Sequence, residues 1–402
     1  MQQIPVQTSP VLVVYSPGAQ MDRGHAATYV SGLGSAFASM GYEVHVVAHA
    51  GPQPLPQNFS VHEAPARWYD RLLRVLPTDV QRHAFRLLAE PRLLSELKQT
   101  TSQHEYSILL METFEYRAMA RYLRAECPPA AFCIFHSTTF RSERHGLLRS
   151  LYKRSSMRAA QTIAMSVDKV FVHGAAMRRN LVNELRLQEP QHVSVVPTGA
   201  PDPCEVGEIG RQDARTQLGL PASQNILLSF GTLRSDKDFR TLLIALAEEK
   251  DWVFVHAGPE GDMTYEDLTR LISEVGLDDR FILHPRYIPA EEHSLYFAAA
   301  DLLGACYLDS VTHDSGTANR ARSFGRLVLA SGPEDLTQYV LENDLGFICD
   351  SNDVGSVRDA LRGYANMDED DRRRLESHVR SVAKQLSWPF VAQRMLESPG
   401  RK

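Results

Sequence analysis

Short apolar runs alternate with helix-length amphipathic stretches along almost the whole chain, and this alternation is the tightest constraint on its fold. Val11–Tyr15 is the first run; a periodic helical stretch follows from about Ala26 to Met40, Gly41 stops it, and Glu43–Ala48 is the next run. Ser107–Met111, Ala131–Phe135, Val170–Val172 and Val193–Val196 continue the series with helical periodicity between them. Strands separated by helices are joined by crossovers rather than hairpins, so the sequence predicts a parallel, doubly wound α/β sheet. Right-handed crossovers then bring the carboxyl ends of the strands, where ligands bind, to one edge.

The pattern breaks between residues 197 and 224. Pro197, Pro201 and Pro203 fall there together with Gly199, Gly207 and Gly210, the composition of a linker. Alternation then resumes with Ile226–Phe230, Val253–Ala257, Phe281–His284, Leu302–Ala305 and Leu327–Ala330. A chain of 402 residues exceeds one ordinary core. Two Rossmann-like domains are expected, 1–200 and 201–375, facing a central cleft. A helical tail, 376–402, is expected to return to the first domain, with its last helix in LSWPFVAQRML.

Composition narrows the class. Apolar residues make up 43% and charged residues 23%, as in globular proteins, and no apolar run approaches the ~20 residues that span a bilayer. No basic segment precedes the first apolar run, so no secretory leader is expected, and the five cysteines show no metal or redox spacing. A cytoplasmic protein with reduced thiols is the expectation. Residues 1–200 carry 21 Lys and Arg against 15 Asp and Glu; residues 201–402 carry 22 against 34. The basic first half either meets something anionic or reflects chance variation in solvated faces.

Two segments carry anion chemistry. In FGTLRSDKD, Arg234 and Lys237 follow a strand at a helix start, where the macrodipole disfavours cations unless they serve a ligand. Further on, Ser315, Gly316 and Thr317 link a strand to a helix and offer hydroxyls and backbone N–H groups to an anion, or simply an N-cap. Together they form the expected halves of a diphosphate clamp. In the first half, His136 ends the run AFCIFHS, and Gly24 opens the first helix beside Asp22 and His25. His173 and Gly174 follow another strand, with Arg178 and Arg179 a turn later; Arg178 is either a phosphate or acceptor contact or a solvated helix residue.

The chain resembles the GT-B-fold nucleotide-sugar glycosyltransferases, in particular the retaining family-4 type. The resemblance rests on four motifs in order: Gly231 to Lys237 for G-R-L-x-x-x-K, Leu295 to Asp301 for L-Y-x-A-A-D, Gly325 to Ser331 for G-x-P-V-x-A-S, and Leu386 to Ala392 for F-S-W-x-x-V-A. It implies a C-terminal donor domain and an N-terminal acceptor domain. Donor contacts would come from Gly24, Thr232, Arg234, Lys237, Asp314, Ser315, Gly316, Thr317 and Asn319. His136 would meet the sugar, with Arg234 and Lys237 as catalytic cations, and His25 and Arg178 would face the acceptor. The two positions that carry Glu in the family hold Thr312 and Arg320 here, and Asn319 or Asp314 would take the ribose contact.

The resemblance implies transfer from an NDP-sugar to a hydroxyl of a glycan or lipid-linked saccharide, with retention, in bacterial polysaccharide or glycoconjugate synthesis. No cofactor, no metal and no nucleic acid are expected. A catalytically inactive GT-B-like partner protein, an inverting transferase and a sugar-nucleotide epimerase stay open as alternatives. An inverting enzyme would need a base such as His25 or Asp22. The basic stretches around Trp68–Leu76 and Arg141–Arg158 are either core-facing helices or surfaces for peripheral contact with an anionic membrane at its inner face.

Overall fold

In a computed structural model, which describes residues 9–20, 26–64, 90–137, 147–188, 190–204, 206, 209–311 and 315–401, the chain divides into two units. One comprises Met1–Pro197 and Val391–Lys402, the other Thr198–Phe390.

The first unit runs β1 (Val11–Tyr15), α1 (Ala26–Ser39), β2 (Glu43–Ala48), β3 (Ser60–Glu63), α2 (Glu90–Gln103), β4 (Ile108–Met111), α3 (Tyr116–Glu126), β5 (Ala131–Ile134), α4 (Leu147–Ser166), β6 (Lys169–Val172), α5 (Ala175–Leu185) and β7 (Val193–Val195). Its sheet has the order β3-β2-β1-β4-β5-β6-β7, with every pairing parallel. Strands β1, β4 and β5 are buried along their full length, which is why they read as unbroken apolar runs rather than alternating ones. Edge strand β3, Ser-Val-His-Glu, is mostly exposed and has no such run.

The second unit runs α6 (Arg211–Leu218), β8 (Asn225–Phe230), α7 (Phe239–Glu248), β9 (Trp252–Ala257), α8 (Tyr265–Glu274), β10 (Phe281–His284), α9 (His293–Ala299), β11 (Leu302–Cys306), α10 (Gly316–Ser323), β12 (Leu327–Ser331), α11 (Glu334–Glu342), β13 (Gly346–Ile348), α12 (Val354–Ala365) and α13 (Glu369–Ala383); the last helix, α14 (Trp388–Glu397), starts in it and passes into the first unit at Val391. Its parallel sheet has the order β10-β9-β8-β11-β12-β13. In both sheets the chain turns outward in opposite directions from the strand laid first, β1 or β8. The switch point thus lies between β1 and β4, and between β8 and β11.

Two stretches differ from the sequence reading. The Pro/Gly segment 197–224 contains helix α6, closed by Gly219 in the left-handed region, rather than being linker throughout. Arg215 on α6 is buried because it answers Asp301, the acid of the L-Y-x-A-A-D motif, at 2.5 Å; the same carboxylate accepts from Ile226 N at 2.7 Å and Tyr364 Oη at 3.0 Å. That motif therefore anchors the amino end of β8. At the C-terminus, α13 stays with the second unit, and the return to the first begins at Val391 rather than at residue 376. There Lys169 Nζ donates to the carbonyls of Met395 (3.1 Å) and Leu396 (2.6 Å), a cation on the last turn of a helix.

Candidate functional site

In the second unit, β8 ends at Phe230 and Gly231 turns the chain with φ +87°. The loop is held from below: Leu233 N donates to Pro259 O (2.9 Å), and Ser235 donates to Asp262 from both N (3.0 Å) and Oγ (2.7 Å). Arg234 pairs with Asp236, and Asp238 caps α7 by accepting from Thr241 N (3.3 Å). Lys237 stands just before that cap. Its Nζ donates to Phe230 O at 3.2 Å, so the ammonium is curled over the end of β8. Burial and the Arg234 charge pull the Lys237 ammonium down to about 8. Burial, and then the Lys237 charge, holds neighbouring His256 neutral at about 3. Arg234 and Lys237 share one nearby carboxylate, Asp236, so the strand end carries two cations that a dianion could engage.

Ser315 N-caps α10: its Oγ accepts from Ala318 N (3.2 Å) and shares a hydrogen bond with Tyr307 Oη (3.0 Å). Tyr307 also forms a single antiparallel bridge with Lys237, and a Cβ placed on Gly231 would stand 3.7 Å from Thr317 Oγ1. The β8 loop and the start of α10 thus meet at one sheet edge, with Gly316 exposed and Thr317 half-buried. Thr232 is exposed on the same loop. Asn319 is turned inward instead, donating to Thr198 O (3.2 Å) and accepting from Arg322 (2.5 Å). Arg320, at one of the two positions where the resemblance implies Glu, lies 3.2 Å from His293 Nδ1. His293 Nε2 faces the Ile288 carbonyl (3.0 Å), so its proton sits there and Nδ1 accepts from the guanidinium.

In the first unit, the carboxyl ends of β1, β4, β5 and β6 bring Ser16, Glu112, His136 and His173 into one chain of contacts. Buried Glu112 accepts from Ser16 Oγ (2.7 Å) and Thr113 Oγ1 (2.9 Å), and its other oxygen stands 2.9 Å from His136 Nε2. His136 Nδ1 meets His173 Nε2 at 2.8 Å, and His173 Nδ1 meets Val196 O at 3.2 Å. A carbonyl can only accept, so His173 donates from Nδ1, takes a proton from His136 Nδ1 at its other nitrogen, and leaves His136 Nε2 against a carboxylate. A lone pair there would repel the carboxylate. Tyr29 packs edge-on to His136 with ring centroids 5.1 Å apart; burial and Glu112 push its phenol far up.

His136 thus lies at the predicted strand end. Arg178 donates to Val193 O (2.7 Å) and Pro190 O (3.1 Å), tying α5 to the approach to β7. Gly24, His25, Asp22, Asp314 and Thr312 lie outside the described residues, as do the stretch around Trp68–Leu76 and residues 141–146. Glu112 was not singled out from sequence, although it is the polar residue that directly follows a wholly apolar strand, the same signal that marks His136.

A GT-B architecture is what two parallel, doubly wound units with a cationic strand-end loop define. Residues 26–202 match the model of Glycosyltransferase Family 4. A D-inositol 3-phosphate glycosyltransferase of Nocardioides is 31% identical over 257 residues, covering 59% of this chain and 54% of that protein. One from Kineococcus radiotolerans is 31% identical over 150 residues, covering 35% and 34%. The chain thus spans about half the length of the first of these relatives and about a third of the second. Among solved structures, sucrose-phosphate synthase from Thermosynechococcus elongatus superposes with a TM-score of 0.74 at 18% identity, covering 96% of this chain and 98% of that one. Anabaena HepE in complex with UDP and glucose gives 0.69 at 15% identity, with coverage of 96% and 98%. The chain has the two-unit GT-B fold of these structures, and its residues 26–202 are similar to Glycosyltransferase Family 4. Among the described residues, no helix is long and apolar enough to cross a membrane.

Proposed function

We propose that the chain transfers a sugar from an NDP-sugar to a hydroxyl of a glycan or lipid-linked saccharide, with retention, in bacterial polysaccharide or glycoconjugate synthesis. The observation that carries this is the paired, partly desolvated cations Arg234 and Lys237 at the end of β8, beside the N-terminus of α10. A departing nucleoside diphosphate gains charge in the transition state, and fixed cations with backbone dipoles stabilise that charge without a metal ion. Thr232, Gly316 and Thr317 complete the donor cradle, with Ser315 acting through the cap it makes. His136 meets the sugar in the first unit through its backbone carbonyl, because both of its ring nitrogens are engaged, by Glu112 and by His173. UDP in the HepE complex supports a nucleotide donor, and the inositol-phosphate relatives make a phosphorylated polyol a candidate acceptor.

A non-catalytic partner protein is the second reading, because Arg320 occupies a position where the resemblance implies Glu. Calorimetry with a panel of UDP- and GDP-sugars, followed by NMR of the product anomer, separates the readings. Saturable binding of a nucleotide sugar with slow hydrolysis or turnover supports the transferase. Binding without turnover across a broad acceptor panel supports the partner protein. No binding of any nucleotide sugar defeats both the donor site and the transfer.

A further inference from the structure

Away from the strand ends, three histidines of the first unit converge under helix α2. His45 is the third residue of β2 and is 2% exposed; His62 is the third residue of β3; His104 directly follows α2 and still donates from N to Thr100 O (3.2 Å). Parallel pairing places Val47 opposite His62 and His45 opposite Ser60, so the two strand histidines lie on the same face, two residues offset. One ring nitrogen from each of the three lies within 4.8 Å of the other two. His45 Nδ1 and His62 Nε2 are 2.8 Å apart, and the His45 and His104 rings are 4.2 Å apart at 52°.

The geometry points to a site for one divalent transition-metal ion of the Zn²⁺ class, held by His45, His62 and His104. Four-coordinate imidazole nitrogens stand about 2.0–2.1 Å from zinc, which puts neighbouring donors about 3.4 Å apart. The observed separations bracket that value, and half-exposed His62 and His104 leave one side for water as a fourth ligand.

Glu43 supplies the second observation. Its Oε1 lies 2.9 Å from His45 Nε2, on the far side of the ring from the other two histidines. A carboxylate there takes the Nε2 proton and turns the Nδ1 lone pair toward the cluster, the arrangement by which outer carboxylates orient metal-binding histidines. Without an ion the cluster makes poor use of itself, since three imidazoles gain one mutual hydrogen bond. An ion would pin edge strand β3, otherwise mostly exposed, to β2 and to the end of α2. This is a holding role, remote from the transfer chemistry proposed above and independent of it.

The test uses the full chain without a polyhistidine tag, stripped with chelator, and Zn²⁺ or Co²⁺ as the probe. One Zn²⁺ per chain should bind by calorimetry at neutral pH and raise the melting temperature, and Co²⁺ should give the intense visible absorption of a four-coordinate site. His62→Ala with His104→Ala should abolish that binding. Glu43→Gln should weaken it by about 10- to 100-fold while leaving the stoichiometry at one. Absence of a four-coordinate Co²⁺ spectrum in the unsubstituted chain, or binding that survives in the double variant, overturns the assignment. The spectrum of the unsubstituted chain decides the matter even where the variants fold poorly.

Discussion

At the carboxyl end of the second sheet the protein places permanent or near-permanent cations, Arg234 and Lys237, on a loop pinned by backbone and Asp262 contacts. At the same end of the first sheet it places a carboxylate and two imidazoles that share protons: Glu112, His136 and His173. The architectures match: parallel strands, a switch point beside the strand laid first, polar residues one step beyond a buried apolar run. The chemistry does not. One edge is built to hold charge of fixed sign, the other to hold a proton at a defined atom. The fold delivers polar groups to an edge, and the residue that follows each strand decides what that edge can do.

If the division is right, removing the fixed charges should be the largest lesion. Arg234→Ala with Lys237→Ala is expected to lower kcat/KM by about 10³-fold or more and to abolish calorimetric binding of the nucleotide diphosphate. Retention of nucleotide affinity in this variant would break the comparison at its stronger side. Glu112→Gln comes next. It keeps size but removes the carboxylate charge that accepts from Ser16 and Thr113 and stands against His136, and hydrogen bonds to a charged group are worth about 1.5–3 kcal/mol, so turnover should fall roughly 10- to 100-fold. Nucleotide affinity should be unchanged. A fall in melting temperature with normal turnover would instead make Glu112 a purely structural acid.

Much of this was legible in the sequence because burial on both faces turns a parallel strand into an unbroken apolar word. Glu43–Ala48 and Phe281–His284 have the bounds that the pattern predicted. The misses share a cause. Edge strand β3, Ser-Val-His-Glu, and the three-residue β13, Gly-Phe-Ile, bury too little to leave an apolar run. Helix α6 hid in a Pro/Gly segment because what holds it is the buried Arg215–Asp301 pair, a contact between residues 86 apart. The site divides in the same way. Arg234, Lys237 and His136 could be placed from the strands they follow, whereas the inward turn of Asn319 toward Thr198 O depends on a contact 121 residues away. Arg178 could not be told from a solvated residue until its two carbonyl partners were in place.

The comparison sharpens with pH, because one member of the cationic pair can lose its charge. Lys237 sits near 8 in the unliganded protein, and a bound dianion must raise it. Nucleotide affinity should therefore be fully present below pH 8 and fall above it by about tenfold per unit, until the bound-state value is reached. Lys237→Arg keeps its charge throughout and should flatten that limb while costing some affinity through altered shape. An affinity that is flat from pH 7 to 9.5 in the unsubstituted protein would mean that Lys237 does not meet the phosphates.

The smallest effect tests whether the loop geometry, and not only its charge, makes the second edge a binding site. Gly231 has φ +87°, a region that costs other L-residues about 1–2 kcal/mol. A Cβ there would stand 3.7 Å from Thr317 Oγ1, an ordinary contact, so Gly231→Ala adds backbone strain without a clash. The loop has two ways to respond. It can keep its conformation, in which case thermal stability falls by about 1–2 kcal/mol and nucleotide affinity is unaltered. Or it can relax at Gly231, carrying Thr232 and Arg234 away from the start of α10, so that affinity falls while stability is largely restored. The pinning of Leu233 and Ser235 to Pro259 and Asp262 favours the first response, measurable as a lowered melting temperature with an unchanged binding isotherm. Lost affinity at unchanged stability would show that the pins are weaker than one strained residue.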